Sequence, residues 1–103
     1  MTTKTKRELT LKSGLVIPAG SIIEVTVEKY NPTVATIVHD GGQFKAKTAT
    51  LAGISNAFIK PTQAMLDAAI NDSMCKSMTG ARVEIDGWDE KGMPSVLLAL
   101  GYA

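Results

Sequence analysis

The sequence predicts an α+β domain, and three observations carry that prediction. Apolar and polar residues alternate through the first half of the chain, the period of strands with one buried face. Turn residues punctuate that half at short intervals, at Ser13-Gly14, Pro18-Ala19-Gly20, Asn31-Pro32 and Asp40-Gly41-Gly42. After Lys60-Pro61 the texture changes to Ala, Met and Leu at three- and four-residue spacings, as in an amphipathic helix. The 103 residues are 45% hydrophobic and 20% charged. That suits one domain with its own core and is too apolar for a disordered chain.

Residues 1–6 (MTTKTK) are polar and basic and read as a flexible tail. They carry no apolar stretch of the kind a secretory signal needs, and no run approaches the roughly 20 apolar residues of a membrane span. Residues 7–56 form the β part. In RELTL, Leu9 and Leu11 fall on one face, with Glu8, Thr10 and Lys12 on the other. SIIEVTVEKY sets Ile23, Val25 and Val27 against Glu24, Thr26 and Glu28, the clearest half-buried strand. TVATIVHD is β-branched, and Val34 and Val38 are assigned to the core. Asp40-Gly41-Gly42 is a tight hairpin turn, and QFKAKTATL returns with Phe44 and Ala46 inward and Lys45 and Lys47 outward. Leu51-Ala52-Gly53-Ile54 suits a 3₁₀ turn.

A helix is predicted over residues 61–79, with Pro61 in its first turn and Gly80 as its left-handed cap. Its inner face holds Leu66 and Ile70. Residues 82–103 form the C-terminal part: a short strand at ARVEI, a turn-rich loop DGWDEKG, and MPSVLLALGYA. Pro94 and Gly101 favour a short helix there; a strand with Val96, Leu98 and Leu100 inward is the alternative. The predicted core is completed by Leu9, Leu11, Ile23, Val25, Val27, Leu51, Val83 and Leu97.

The formal net charge of +1 hides an asymmetry. Residues 1–60 hold eight Lys/Arg against four acids, a balance of +4, and residues 61–103 hold three against six, a balance of −3. Such a dipole suits steering of a partner or head-to-tail self-contact. The single cysteine, Cys75, excludes an intrachain disulfide and makes a cytoplasmic setting the default.

Catalytic chemistries find little to work with. The lone histidine, His39, reads as an exposed hairpin-end residue, and Cys75 as a small hydrophobe on the helix flank. Two such residues do not make a zinc site. Asp86-Gly87-Trp88-Asp89-Glu90-Lys91-Gly92 superficially suggests a calcium loop, but Leu97 stands where a twelfth-position carboxylate belongs. No glycine pattern cradles a phosphate, and Glu84, Asp86, Asp89 and Glu90 read as a solvated acidic turn. No catalytic residue, cofactor or metal is therefore expected, and the chain reads as a non-enzyme.

The run LTLKSGLVIPAGSIIEVTVEKY…TVATIVHDGGQFKAKTATLAGI resembles an SH3-like small β-barrel in its order of strands, Pro/Gly loop, hairpin and 3₁₀ turn. The resemblance implies a small, partly open antiparallel barrel followed by one amphipathic helix and a short C-terminal segment. It departs from peptide-binding SH3 domains, because only Tyr30 and Phe44 supply aromatics in this region. The stretch DGWDEKGMPSVLLALG is similar to the ends of small uncharacterised bacteriophage and prophage proteins, which implies a phage origin and the host cytoplasm.

The leading expectation is a non-enzymatic protein-interaction module that binds and modulates a host or phage protein through Trp88, Asp89, Met93 and Tyr102. Exposed Trp and Met are favoured in contact surfaces. The first alternative is a nucleic-acid-binding small barrel using Lys4, Lys6, Arg7, Lys45 and Lys47. The second is a self-associating virion component, a homo-oligomer. None of these readings involves a membrane.

Overall fold

The computed structural model describes residues 1–103. The α+β class holds, but the barrel does not. Four strands make one antiparallel sheet in the order β1-β4-β5-β6: Thr2–Lys4, Ile22–Glu28, Asn31–His39 and Gly42–Lys47. Leu9–Thr10 (β2) and Val16–Ile17 (β3) pair only with each other, as do Met74–Lys76 (β7) and Arg82–Glu84 (β8). No sheet closes on itself, which overturns the expected SH3-like barrel. The reason is local. The Ser13-Gly14 and Pro18-Gly20 turns leave β2 and β3 only two residues each, too short to bridge to β6, while β6 runs directly into a 3₁₀ turn at Thr48–Leu51.

Residues 1–6 are structured rather than a loose tail. β1 pairs with β4 through Thr2↔Glu24, Thr3↔Ile23 and Lys4↔Ile22, and the Met1 amine donates to the Val25 carbonyl at 2.9 Å. Buried Thr5 pins the next turn: its hydroxyl donates to the Pro18 carbonyl and accepts the Ser21 N–H, both at 3.0 Å.

The strand β4 dictates the core. Its inward residues Ile23, Val25 and Val27 are buried, and residues directly opposite in an antiparallel pair share a face. The register sets Ile37 opposite Val25 and Ala35 opposite Val27. Ile37 is 0% exposed, whereas Val38 is 41% exposed opposite Glu24. The assignment of Val34 and Val38 to the core is thus one residue out of phase. Phe44 and Ala46, opposite Ile37 and Ala35, lie inward as expected, half-buried at the sheet edge. The turn between β5 and β6 has positive φ at both Asp40 (49°) and Gly41 (77°), as a two-residue type I′ hairpin requires.

The other wall of the core comes from Leu51, Ile54, Phe58, Met78, Met93 and Val96. The helix α1 spans Gln63–Asp72, capped by the Thr62 hydroxyl accepting from Met65 N–H at 3.2 Å. It ends well short of residue 79. Ser73 turns left-handed (φ 59°), and Cys75 then pairs with Val83 in the β7–β8 hairpin, burying both. Met78 fits helical spacing in the sequence but reaches the core through a different route. Its N–H donates to the Pro94 carbonyl and its carbonyl accepts from Ile59. Only Ala69 of α1 is buried; Leu66 is half-buried and Ile70 is 73% exposed, so Ile70 is not core. The C-terminal alternative resolves as helix. α2 spans Val96–Leu100, between a Ser95 hydroxyl cap and left-handed Gly101.

No helix is long and apolar enough to cross a membrane.

Candidate interaction cleft

The unclosed side of the sheet creates a cleft of about 410 Å³ between β6 and the segment Thr10–Lys12. Its apolar lining comes from Leu11, Val34 and Ala46. Lys12, Lys45 and Lys47 surround this lining, and the Thr10 and Thr50 side chains complete the wall.

Each lysine is placed by the local fold. Lys45 and Lys47 alternate with inward Phe44 and Ala46 along β6, so both emerge on the outer side of the edge strand. Lys12 follows buried Leu11, whose N–H donates to Leu15 and whose carbonyl accepts from Gly14 as the chain turns back. None of the residues lining the cleft is Asp or Glu. Lys45 pairs with exposed Glu28, while Lys12 and Lys47 have no carboxylate partner. The cleft is therefore a positive rim over an apolar floor, with no aromatic side chain in its lining.

The β6 edge carries unpaired backbone groups as well. A two-residue hairpin makes His39↔Gly42 an exchanging hydrogen-bonded pair, and pairs alternate from there. Ile37↔Phe44 and Ala35↔Ala46 are therefore bonded across the hairpin, and Gln43, Lys45 and Lys47 direct their N–H and C=O groups away from β5. Only the Lys47 carbonyl is taken up, by the Thr50 hydroxyl at 2.6 Å.

Of the expected nucleic-acid residues, the structure brings only Lys45 and Lys47 into this cleft. Lys4 lies on β1, at the opposite edge of the sheet, and Lys6 follows it, its N–H donating to the Ile54 carbonyl. Arg7 is committed to the fold. Its guanidinium donates to the Thr50 carbonyl at 3.2 Å and the Ala52 carbonyl at 2.9 Å, closing the exposed end of the 3₁₀ turn. Lys12, Thr10, Leu11, Val34 and Thr50 line the cleft without standing out in the sequence as binding residues. The signal for Lys12 was its place beside a Ser-Gly turn, where a strand must end.

The expected partner-binding residues divide differently. Trp88, Asp89 and Met93 do share one loop, held by the Trp88↔Pro94 bridge. Met93, however, is 1% exposed and packs in the hydrophobic core. The Asp89 carboxylate is filled by its own chain. One oxygen accepts the Ser77 hydroxyl at 2.6 Å and the Thr79 hydroxyl at 2.5 Å; the other accepts the Lys91 N–H at 2.8 Å and the Met93 N–H at 2.9 Å. Burial pushes its acidity in the unfavourable direction, but these four bonds outweigh it and hold the carboxyl below its ordinary value of 3.8. Half-buried Trp88 is covered by the Lys29 ammonium, 4.3 Å from its ring centre. Tyr102 is exposed and lies apart, against Leu66, Ile70 and Leu97.

His39 and Cys75 belong to different sheets. Buried Cys75 points its thiol toward the Glu84 carbonyl.

No family model, no curated protein and no solved structure matches the chain. The likeness of the first half to SH3-like barrels and of residues 86–101 to bacteriophage proteins is accordingly overturned, the former by the open sheet as well.

Proposed function

We propose that the chain is a non-enzymatic binding module that holds an acidic protein segment in the cleft between β6 and Thr10–Lys12. The observation that carries this reading is the lining itself: three lysines around Leu11, Val34 and Ala46, with no carboxylate among them. Positive charge at a rim speeds encounter and selects sign, while an apolar floor supplies the area that binding needs. The site moves from the Trp88 loop expected from sequence because that loop spends its polar groups on itself.

Nucleic acid is the second reading, favoured by the same three lysines. It is the weaker one, because single strands are held by stacking on aromatic rings as well as by charge, and this cleft has none.

The test is fluorescence anisotropy with a labelled glutamate-rich peptide and, separately, a labelled oligothymidylate, at about 50 mM salt where phosphate contacts are strong. The peptide is expected to bind and the oligonucleotide not to. A variant combining Lys12→Glu, Lys45→Glu and Lys47→Glu should lose the peptide. Binding of the oligonucleotide alone would replace this reading with the second one.

A further inference from the structure

We infer that the cleft takes its partner as an added β-strand along the free edge of β6, and that the strand it selects alternates acidic and small apolar residues. The inference rests on the binding-cleft reading and specifies its geometry.

The edge is suited to strand addition in three respects. β6 pairs with β5 in unbroken register from Gly42 to Lys47, with no bulge and no proline. Its outward N–H and C=O groups at Gln43 and Lys45 have no partner within the chain. The cleft also runs alongside that edge, because Lys45, Ala46 and Lys47 line it. An extended peptide there gains main-chain hydrogen bonds as its affinity and side-chain contacts as its specificity.

The alternation of β6 dictates the partner's pattern. Residues of an incoming strand opposite Gln43, Lys45 and Lys47 share the outer face, where carboxylates meet the unpaired Lys47 ammonium, the Gln43 amide and the Lys45 ammonium, for which they compete with Glu28. Residues opposite Phe44 and Ala46 share the inner face, beside Leu11. The period of two converts a positive rim and an apolar floor into an acidic-apolar-acidic sequence requirement.

The occupant is a strand of another protein rather than a second copy of this chain. Edge-to-edge pairing of two β6 strands brings Lys45 and Lys47 of one copy against those of the other. Lysine on an edge strand is the usual device against such pairing. An acidic strand meets the reverse situation, and the same lysines attract it.

The experiment uses the full chain, isotopically labelled, with a capped peptide of alternating Glu and Val. A peptide of the same composition, all Glu before all Val, serves as the comparison. Backbone hydrogen exchange is read at Gln43 and Lys45, with Phe44 and Ala46, already bonded to β5, as internal references. The alternating peptide is expected to slow exchange at Gln43 and Lys45 by about tenfold or more. It should also bind about tenfold more tightly than the blocked one, and weaken by a similar factor in Lys45→Glu. A Gln43→Pro variant, which removes one outward N–H and no charge, should weaken it too; its fold is checked by circular dichroism, and the exchange readout on the unmodified chain stands without it. Equal binding of both peptides with no protection at Gln43 and Lys45 would overturn strand addition while leaving the cleft reading intact. No binding of either peptide would overturn both. Protection of these amides that rises with protein concentration in the absence of peptide would assign the edge to a second copy and overturn the proposal.

Discussion

The Ser77 hydroxyl donates to the Asp89 carboxylate at 2.6 Å across twelve residues of sequence. The same hydroxyl accepts the Thr79 N–H at 3.3 Å and the Ala81 N–H at 3.2 Å. Asp89 in turn accepts two N–H groups of its own loop, so one ion pins the start of the β7–β8 turn to the loop before α2. Replacing Asp89 by Ala leaves two hydroxyls and two N–H groups without an acceptor. A loss of about 2–3 kcal/mol is expected, allowing for partial solvent access. Asp89→Asn keeps one carbonyl oxygen for the two N–H groups and should cost about half as much. Urea unfolding of the three proteins measures both.

The same site sets an acid limb. Because the folded carboxyl lies below its ordinary value of 3.8, the unfolded chain binds the proton more readily. The stabilisation from this ion is complete well above pH 3.8 and is lost as pH falls through that value toward the lower folded one. The stability gap between the natural chain and Asp89→Asn should therefore be constant near neutral pH and shrink below about pH 4. A gap that widens on acidification would contradict the assigned direction.

Adjacent residues on β5 should respond very differently to truncation. Ile37→Ala removes a fully buried side chain wedged between Val25 and Phe44, and a loss of about 2–5 kcal/mol is expected. Val38→Ala acts on the outer face beside Glu24 and Gln43 and should stay within about 0.5 kcal/mol apart from a small β-propensity cost. Equal losses would place the core on the wrong face of β5.

That pair shows what the sequence discloses and what it withholds. Alternation in β4 is unambiguous, because Glu24 and Glu28 mark the outer face, and Ile23, Val25 and Val27 were legible as core. In TVATIVH every position is apolar, Thr or His, so alternation alone does not choose a face; the register against β4 does. The helix is shorter than its residue spacing predicts, for a related reason. Met74 and Met78 are four apart, as on a helix face, yet Cys75 is claimed by pairing with Val83; the strand at Val83 was legible, but its pairing partner was not. The cleft was half legible. Lys45 and Lys47 stand out at a period of two, but Lys12 and Leu11 join them only because the four-stranded sheet does not close and β2 pairs with β3 alone, which is a tertiary outcome. The charge asymmetry was legible and did not locate the site, since Lys4 lies at the opposite edge of the sheet and Arg7 bonds the Thr50 and Ala52 carbonyls.

The turn between β5 and β6 offers a check on the edge strand. An Ala at Gly41 meets no neighbour within 4 Å but must adopt φ near +77°, and about 1 kcal/mol is expected to be lost. At Gly42 the added carbon sits 2.7 Å from the Phe44 ring. The ring must move off Ile37, and a cost of about 1–3 kcal/mol is expected. Thermal unfolding of Gly41→Ala and Gly42→Ala compares them, and Gly42→Ala should also disturb peptide binding on β6 where Gly41→Ala does not.

The placement of the binding site is tested most directly by chemical-shift mapping of the labelled chain during titration with the acidic alternating peptide. Shifts confined to Thr10–Lys12, Val34, Gln43–Lys47 and Thr50 are predicted, and they should disappear in the Lys12→Glu, Lys45→Glu, Lys47→Glu variant. Shifts centred on Trp88 and Tyr102, or binding that survives the three charge reversals, would contradict it.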